Sequence, residues 1–301
     1  MRSAALMYHR VCPRTPETAC YFARGTAVEP STFAAQMAWL AARAPVVAPS
    51  AWLRAEGTRP GVMLTFDDGY RDVVEHVAPV CARLGLPFAV FPIAGHLGDA
   101  PRCWVDEWYA IVHHARRRAG GAGLPLLAAG DIAPPIDDAL RWWVRGPIKA
   151  RLHALDDAAR AAALAALADA LGAVVPTSAR LYCDRAELAA LAAAGHDIGG
   201  HGRWHRRLAD CDAAARADEL DGAAALLDAL EVAAPRLYAY ADGSHDPASV
   251  AAVGARFAAA FTVESGEFDA ATDRLRLPRL IARDRPPSHP EGWAAFGGSL
   301  G

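Results

Sequence analysis

Two stretches of this chain combine residue types and spacings that could do chemistry. Asp67 and Asp68 are adjacent and are followed by Gly69. His201 and His205 stand four residues apart, directly after Gly199 and Gly200. On a helical turn that spacing stacks both imidazoles on one face, as two ligands of one divalent ion require. Neighbours in sequence project differently, so one aspartate can bind a metal while the other handles protons. Two His and one Asp form a three-ligand set that leaves positions for water and substrate, as catalytic metal sites do. Each stretch alone has a plainer reading. Asp-Asp-Gly is a common strand-to-helix turn that caps the helix, and a lone His pair is often two surface residues. Their occurrence together weighs towards a site.

The elements that must position these residues follow from pattern. Val62 to Phe66 is a short apolar, partly β-branched run, which predicts a buried strand, and Arg71 to Leu84 reads as a helix. A strand ending in paired Asp carries both acids to the open rim of an α/β sheet or barrel, where ligands bind. Ala4 to Tyr8 predicts a first strand ending in Tyr8-His9, and Cys12 to Pro30 reads as loop. Ser31 is the expected cap of a helix over Thr32 to Arg43, with a short strand at Pro45 to Pro49. Pro87 to Ile93 predicts the next strand. Asp184 to Ala194 reads as a helix feeding the strand that ends on the histidines, with His196 structural. Asp212 to Leu230 is amphipathic, and Phe261 to Val263 predicts a late strand. Alternating β and α elements imply a parallel sheet or barrel.

A chain of 301 residues can bury a large core as one elaborated α/β domain. Hydrophobic content of 53% excludes general disorder. The net charge of −3 gives no electrostatic reason to expect a nucleic acid or an anionic membrane as partner. Six scattered cysteines without C-x-x-C spacing argue against a structural zinc cluster and offer no disulfide framework. The opening apolar run is cut off by His9 and Arg10, too early for a signal-peptide core, and no run approaches membrane-spanning length. The sequence as it stands reads as cytoplasmic. Its oligomeric state is not legible.

Thr65-Phe66-Asp67-Asp68-Gly69 and His201-x-x-x-His205 resemble the motifs of the polysaccharide deacetylases, the carbohydrate esterases of the NodB homology family. The resemblance runs from about Leu6 to about Ile281. It implies a distorted (β/α)7-type barrel and a single deacetylase-like domain over 1–301. It also implies one divalent metal on Asp68, His201 and His205, with zinc the first expectation and nickel, cobalt or iron compatible with the ligands. Asp67 is then the general base. Leu6-Met7-Tyr8-His9 is similar to a circularly permuted branch that includes deacetylases of poly-N-acetylglucosamine. There an N-terminal Tyr-His supplies the histidine that other members carry near the C-terminus, which makes His9 the expected general acid. Leu277-Pro278-Arg279 is similar to a segment of the same branch, so Arg279 either pairs with Asp67 and lowers its pKa or makes a surface ion pair. Tyr8 and Tyr240 are expected at the substrate.

Two departures stand out. Gly202 occupies a position where the family usually has Ser or Thr. Ala241 and Asp242 replace a proline-tyrosine pair, which keeps a backbone N–H at Asp242 for the oxyanion but removes an aromatic wall. Asp242 either turns outward, as Asp before Gly commonly does, or recognises an unusual substrate group. Residues of about 97–180 read as a helical insertion at the active-site rim. Within it Trp104 and Trp142-Trp143 could stack on a sugar, though buried core tryptophans are the plainer reading. His113-His114 and the arginines after them read as a solvated helix end, Gly120 to Pro135 as loop, and Arg283 to Gly301 as loosely packed. The expected reaction is hydrolysis of an N-acyl group on an intracellular amino sugar, free or nucleotide- or lipid-linked. Amide hydrolysis on a non-carbohydrate substrate stays open, as does a catalytically silent binding module of the same fold.

Overall fold

Short apolar runs become strands wherever a parallel neighbour can take up their backbone groups. In a computed structural model, which describes residues 2–118, 139–173 and 180–287, the strands in chain order begin with β1 (Ala4–Tyr8), β2 (Arg10–Val11) and β3 (Ala27–Val28). They continue with β4 (Val62–Asp68), β5 (Ala89–Pro92), β6 (Asp197–Ile198), β7 (Leu237–Ala239), β8 (Ala259–Phe261) and β9 (Leu280–Ile281). Contacts divide the chain into two compact units.

The first unit draws on Met1–Cys12, Val28–Pro101 and Arg180–Gly301. Strands β6, β5, β4, β1 and β9 lie side by side in that order, all parallel. The longest ladder sets Ala4 opposite Val62 and Tyr8 opposite Phe66. Strands β7 and β8 form a second parallel pair. Single parallel bridges join the two sheets, from Gly200 to Tyr238 and from Phe261 to Leu277. The ladder thus returns to its first member, and β1 with β4 through β9 closes a seven-stranded barrel of the expected class. Its distortion sits at the two joints held by one bridge each.

Side chains alternate along these strands and so divide the apolar residues into two cores. Ala5, Met63, Ala89, Phe91, Ala239 and Phe261 belong to one cluster, the barrel interior. Leu6, Tyr8, Leu64, Phe66, Val90 and Tyr240 belong to another, which includes helix residues such as Phe33, Met37, Leu188 and Leu227. Each large apolar side chain buried there contributes roughly 1.5–3 kcal/mol. Asp184, Asp212 and Asp246 start three of the surrounding helices by accepting the N–H three residues on, at 2.8, 2.8 and 2.7 Å, each cap worth about 1 kcal/mol.

Several local expectations shift. The helix expected over Thr32 to Arg43 spans Pro30–Ala41 and starts at Pro30 rather than after Ser31, since proline suits a first helical position. Pro45 to Pro49 makes one bridge, Val46 to Val62, and then turns into a helix, Pro49–Arg54. The stretch from Cys12 to Pro30 contains a short helix, Ala19–Arg24, and β3. After Asp-Asp-Gly a wide turn over Val73–Val77 precedes the helix Ala78–Leu84, whose first turn holds Pro79. The late strand lies two residues earlier than expected. Residues 283–285 are anchored: the Gln36 amide donates to the carbonyls of Arg283 and Arg285 at 2.9 and 3.0 Å.

The second unit comprises Pro13–Ala27 and Arg102–Ala179. Its helices are Ala19–Arg24, Trp104–Arg118, Ala139–Arg145, Pro147–Ala154 and Asp157–Leu171. Trp143 is buried in its core, as the plainer reading of that residue expects, and so is Trp108, whose indole N–H donates to the Trp143 carbonyl at 3.1 Å. His113 is buried with its Nδ1 2.9 Å from the Pro16 carbonyl, so it is not part of a solvated helix end. The predicted loop at Gly120 to Pro135 lies outside the described residues. Among the described residues, no helix is long and apolar enough to cross a membrane.

Candidate active site

The carboxyl ends of the barrel strands gather most of the expected residues. Asp67 follows Met63 and Thr65 on the inward face of β4. Its two oxygens accept two guanidinium N–H groups of Arg279, both at 2.7 Å. Two further Arg279 donors are used as well, Nε–H on the Thr262 carbonyl at 2.8 Å and an Nη1–H on the Thr65 hydroxyl at 3.3 Å. Thr65 in turn donates to the Leu6 carbonyl at 2.8 Å. Arg279 therefore pairs inside the barrel and makes no surface ion pair. Burial on its own would raise the Asp67 carboxyl, but Arg279 and His201 outweigh it and hold it below the usual carboxylate value.

Asp68 ends β4 with a left-handed backbone, φ +68°. Its Oδ1 lies 3.4 Å from Nε2 of His201 and 3.4 Å from Nε2 of His205. One ligand atom from each of the three residues falls within 4.8 Å of the others. The Asp68 Oδ1 is buried and has no hydrogen-bond partner among the described residues. His201 reaches the cluster because β6 ends just before it. Its Nδ1 sits 2.8 Å from the Ala239 carbonyl, which fixes Nδ1–H as donor and turns Nε2 towards Asp68. The histidines do not lie on a helical turn. Gly202 and His205 have φ of +82° and +62°, and this irregular loop brings the two rings to 4.9 Å.

Burial and the aspartates act in opposite directions on the two histidines. Burial pushes His205 down to about 4, against the pull of Asp68, so its Nε2 is neutral and available at neutral pH. Burial also opposes charge on His201, but Asp68 and Asp67 prevail and raise it. Asp68 is lowered, with His201, His205 and His9 outweighing the cost of burial. An orphaned, buried carboxylate oxygen facing two imidazole nitrogens is a donor set that fits a divalent cation.

His9, directly after β1, acts electrostatically on both aspartates, and its buried Nδ1 has no hydrogen-bond partner among the described residues. Asp242 is exposed on a short turn with φ +50°, and its charge reaches His205. Asp68, His205 and Asp242 all hold left-handed backbones without being glycine, a strained state that clusters at functional sites.

Tyr8 and Tyr240 are corrected by their burial. Both point outward from the barrel into the packed layer under the helices. Tyr8 stacks on Phe66 and donates to Gln36 at 2.9 Å, while Tyr240 donates to the Leu275 carbonyl at 3.1 Å. At 2% and 0% exposure neither offers a face to a sugar. Trp104 belongs to the helical unit, its ring against His153 and 5.0 Å from the Arg160 guanidinium. Thr65 and Thr262 hold Arg279 in place without having been named as site residues in the sequence. Of these only Thr65 carried a signal, its place two residues before Asp67.

A family model described as polysaccharide deacetylase matches residues 54–119 and 145–257, more than half of the chain. The chain belongs to the polysaccharide deacetylase family. Among solved structures it is similar to a Streptococcus pyogenes deacetylase, PplD, in complex with acetate. That match has a TM-score of 0.61 at 15% identity and covers 95% of this chain and 94% of that one. IcaB from Ammonifex degensii matches with a TM-score of 0.57 at 17% identity, over 99% and 97% of the two chains. The BpsB deacetylase domain from Bordetella bronchiseptica matches with a TM-score of 0.53 at 15% identity, over 93% and 95%. At these identities the likeness establishes a shared fold. No curated protein gives a significant match.

Proposed function

We propose that this chain is a metal-dependent N-deacetylase of an acetylated amino sugar, with Asp68, His201 and His205 as the metal ligands. The observation that carries the reading is the buried Asp68 Oδ1, without a hydrogen-bond partner among the described residues and 3.4 Å from both histidine Nε2 atoms. An oxygen and two imidazole nitrogens favour zinc, with nickel, cobalt and iron able to use the same set. When bound, such an ion supplies Lewis acidity towards the amide carbonyl and lowers the pKa of water.

The chain's own residues supply the rest. Asp67, held ionised by Arg279, takes the proton of the attacking water at a carboxylate oxygen. The bidentate pairing fixes which way those oxygens point. The backbone N–H of Asp242 donates to the oxyanion that forms at the carbonyl carbon. His9 delivers a proton to the nitrogen as the C–N bond breaks, so acetate leaves one side and a free amine the other.

Elemental analysis of the purified protein, beside a His201→Ala, His205→Ala double variant, tests the metal. About one ion per chain, lost in the variant, is the expected result. Acetate release from a panel of N-acetylated amino sugars and non-sugar amides tests the substrate class. Asp67→Asn is expected to keep the metal and lose turnover. Absence of metal after zinc or cobalt is supplied, or turnover of the non-sugar amides alone, overturns the proposal.

A further inference from the structure

The helix Ala213–Ala229 carries a carboxylate into the hollow of the histidine loop. Glu219 is fully buried, at 0% exposure. Its Oε1 and Oε2 both accept the backbone N–H of Trp204 at 3.1 Å, and Oε2 also accepts that of Arg206 at 3.4 Å. Trp204 and Arg206 are the two residues flanking His205. On the other side of the loop, a Cβ added to Gly202 would stand 2.3 Å from Glu219 Oε2. The carboxylate therefore fills the space that a side chain at position 202 would need.

His205 itself holds φ +62°, a conformation that costs a non-glycine residue about 1–2 kcal/mol. Such a residue persists only where its surroundings over-determine it. The backbone is tied down immediately before and after it, to one side chain. A carboxylate suits that task, because it accepts several N–H groups and brings no donor of its own to leave unsatisfied.

We propose that Glu219 is a positioning residue for the metal centre, holding His205 in the left-handed conformation that turns its Nε2 towards Asp68. This inference rests on the metal-binding reading above. Glu219 acts through the backbone of the loop, and its Oε1 also lies 3.8 Å from an Nη1 of Arg206. Glutamine would set an amide NH2 among the same N–H groups and keep one acceptor. Alanine would remove both acceptors.

The test is the zinc dissociation constant of the full-length protein, measured by competition with a chromophoric chelator for wild type, Glu219→Gln and Glu219→Ala. The cobalt(II) absorption spectrum and a thermal melt accompany each. Supporting residues behind metal ligands are worth roughly 10–100-fold in affinity. The expected result is a loss of that size for Glu219→Ala, a smaller one for Glu219→Gln, and an altered cobalt spectrum in variants that still melt cooperatively. If the alanine variant does not fold, the isosteric glutamine variant decides by the same criterion. A folded variant that binds zinc as tightly as wild type, with the wild-type cobalt spectrum, overturns the role of Glu219 alone. Wild-type protein that takes up neither zinc nor cobalt overturns the metal reading and this role with it.

Discussion

Arg279 grips both oxygens of Asp67 at 2.7 Å inside the barrel, at 1% and 2% exposure, across 212 residues of chain. Such a pair is not a large net stabiliser when compared with an apolar replacement of both partners, but removing one partner strands the other. Arg279→Met is expected to cost about 3–5 kcal/mol, a large share of the roughly 5–15 kcal/mol that holds a typical domain folded. Arg279→Lys keeps the charge without the fork geometry and should cost less stability while still lowering turnover. Urea unfolding midpoints and acetate release measure the two effects. An unchanged midpoint in the methionine variant would show that Asp67 finds another partner.

His9 stands close enough to influence both aspartates, yet it belongs to no ligand cluster among the described residues. His9→Ala is expected to leave metal content unchanged and to slow turnover by about 10²–10⁴-fold, the usual worth of a positioned general acid. Metal analysis beside kinetics separates the roles. Loss of metal from this variant would make His9 a ligand instead.

Gly69 completes the Asp-Asp-Gly turn with φ +72°, and a Cβ there would come within 2.7–2.8 Å of Pro92 at the end of β5. Gly69→Ala is therefore expected to cost at least about 1–2 kcal/mol from the backbone alone, and to push the neighbouring strand end away from Asp68. Gly85, also left-handed, has nothing within 4 Å of a Cβ. Gly85→Ala should lose stability without losing metal affinity. Equal metal affinity in both variants would mean that the contact with Pro92 does not transmit to Asp68.

Asp197, at the start of β6, accepts the Ser50 N–H at 2.8 Å and the Ser50 hydroxyl at 2.6 Å. Burial nevertheless raises its pKa, with the Ser50 bonds only partly opposing. Folding thus favours its protonated form. That contribution is fully present below the ordinary carboxylate value of about 4 and is lost as pH rises through the higher folded value. Asn at this position does not titrate. Unfolding midpoints from pH 4 to 7 should therefore shift in favour of Asp197→Asn, relative to wild type, as pH rises. A gap between the two proteins that stays constant with pH would contradict the raised value.

The sequence by itself determined a parallel α/β sheet or barrel, and the resemblance of its two motifs narrowed that to the deacetylase barrel. Strand-sized apolar runs alternating with helices leave few topologies, and Asp67, Asp68, His201 and His205 each lie within a few residues of a strand end that is legible locally. Tertiary structure decided the rest. Arg279 looked equally suited to a surface pair, because nothing local says which carboxylate lies 212 residues away in sequence and 2.7 Å away in space. Tyr8 and Tyr240 looked like pocket residues, but barrel closure assigns their side of the alternating strand to the outer core. The four-residue histidine spacing predicted a helical turn, whereas the rings converge through a loop around Glu219, which in sequence is one more acidic residue on an amphipathic helix. Propensity and periodicity are properties of neighbours along the chain. Which distant side chains meet depends on how the barrel closes and which helix packs behind which loop, and those choices are made by the whole core at once.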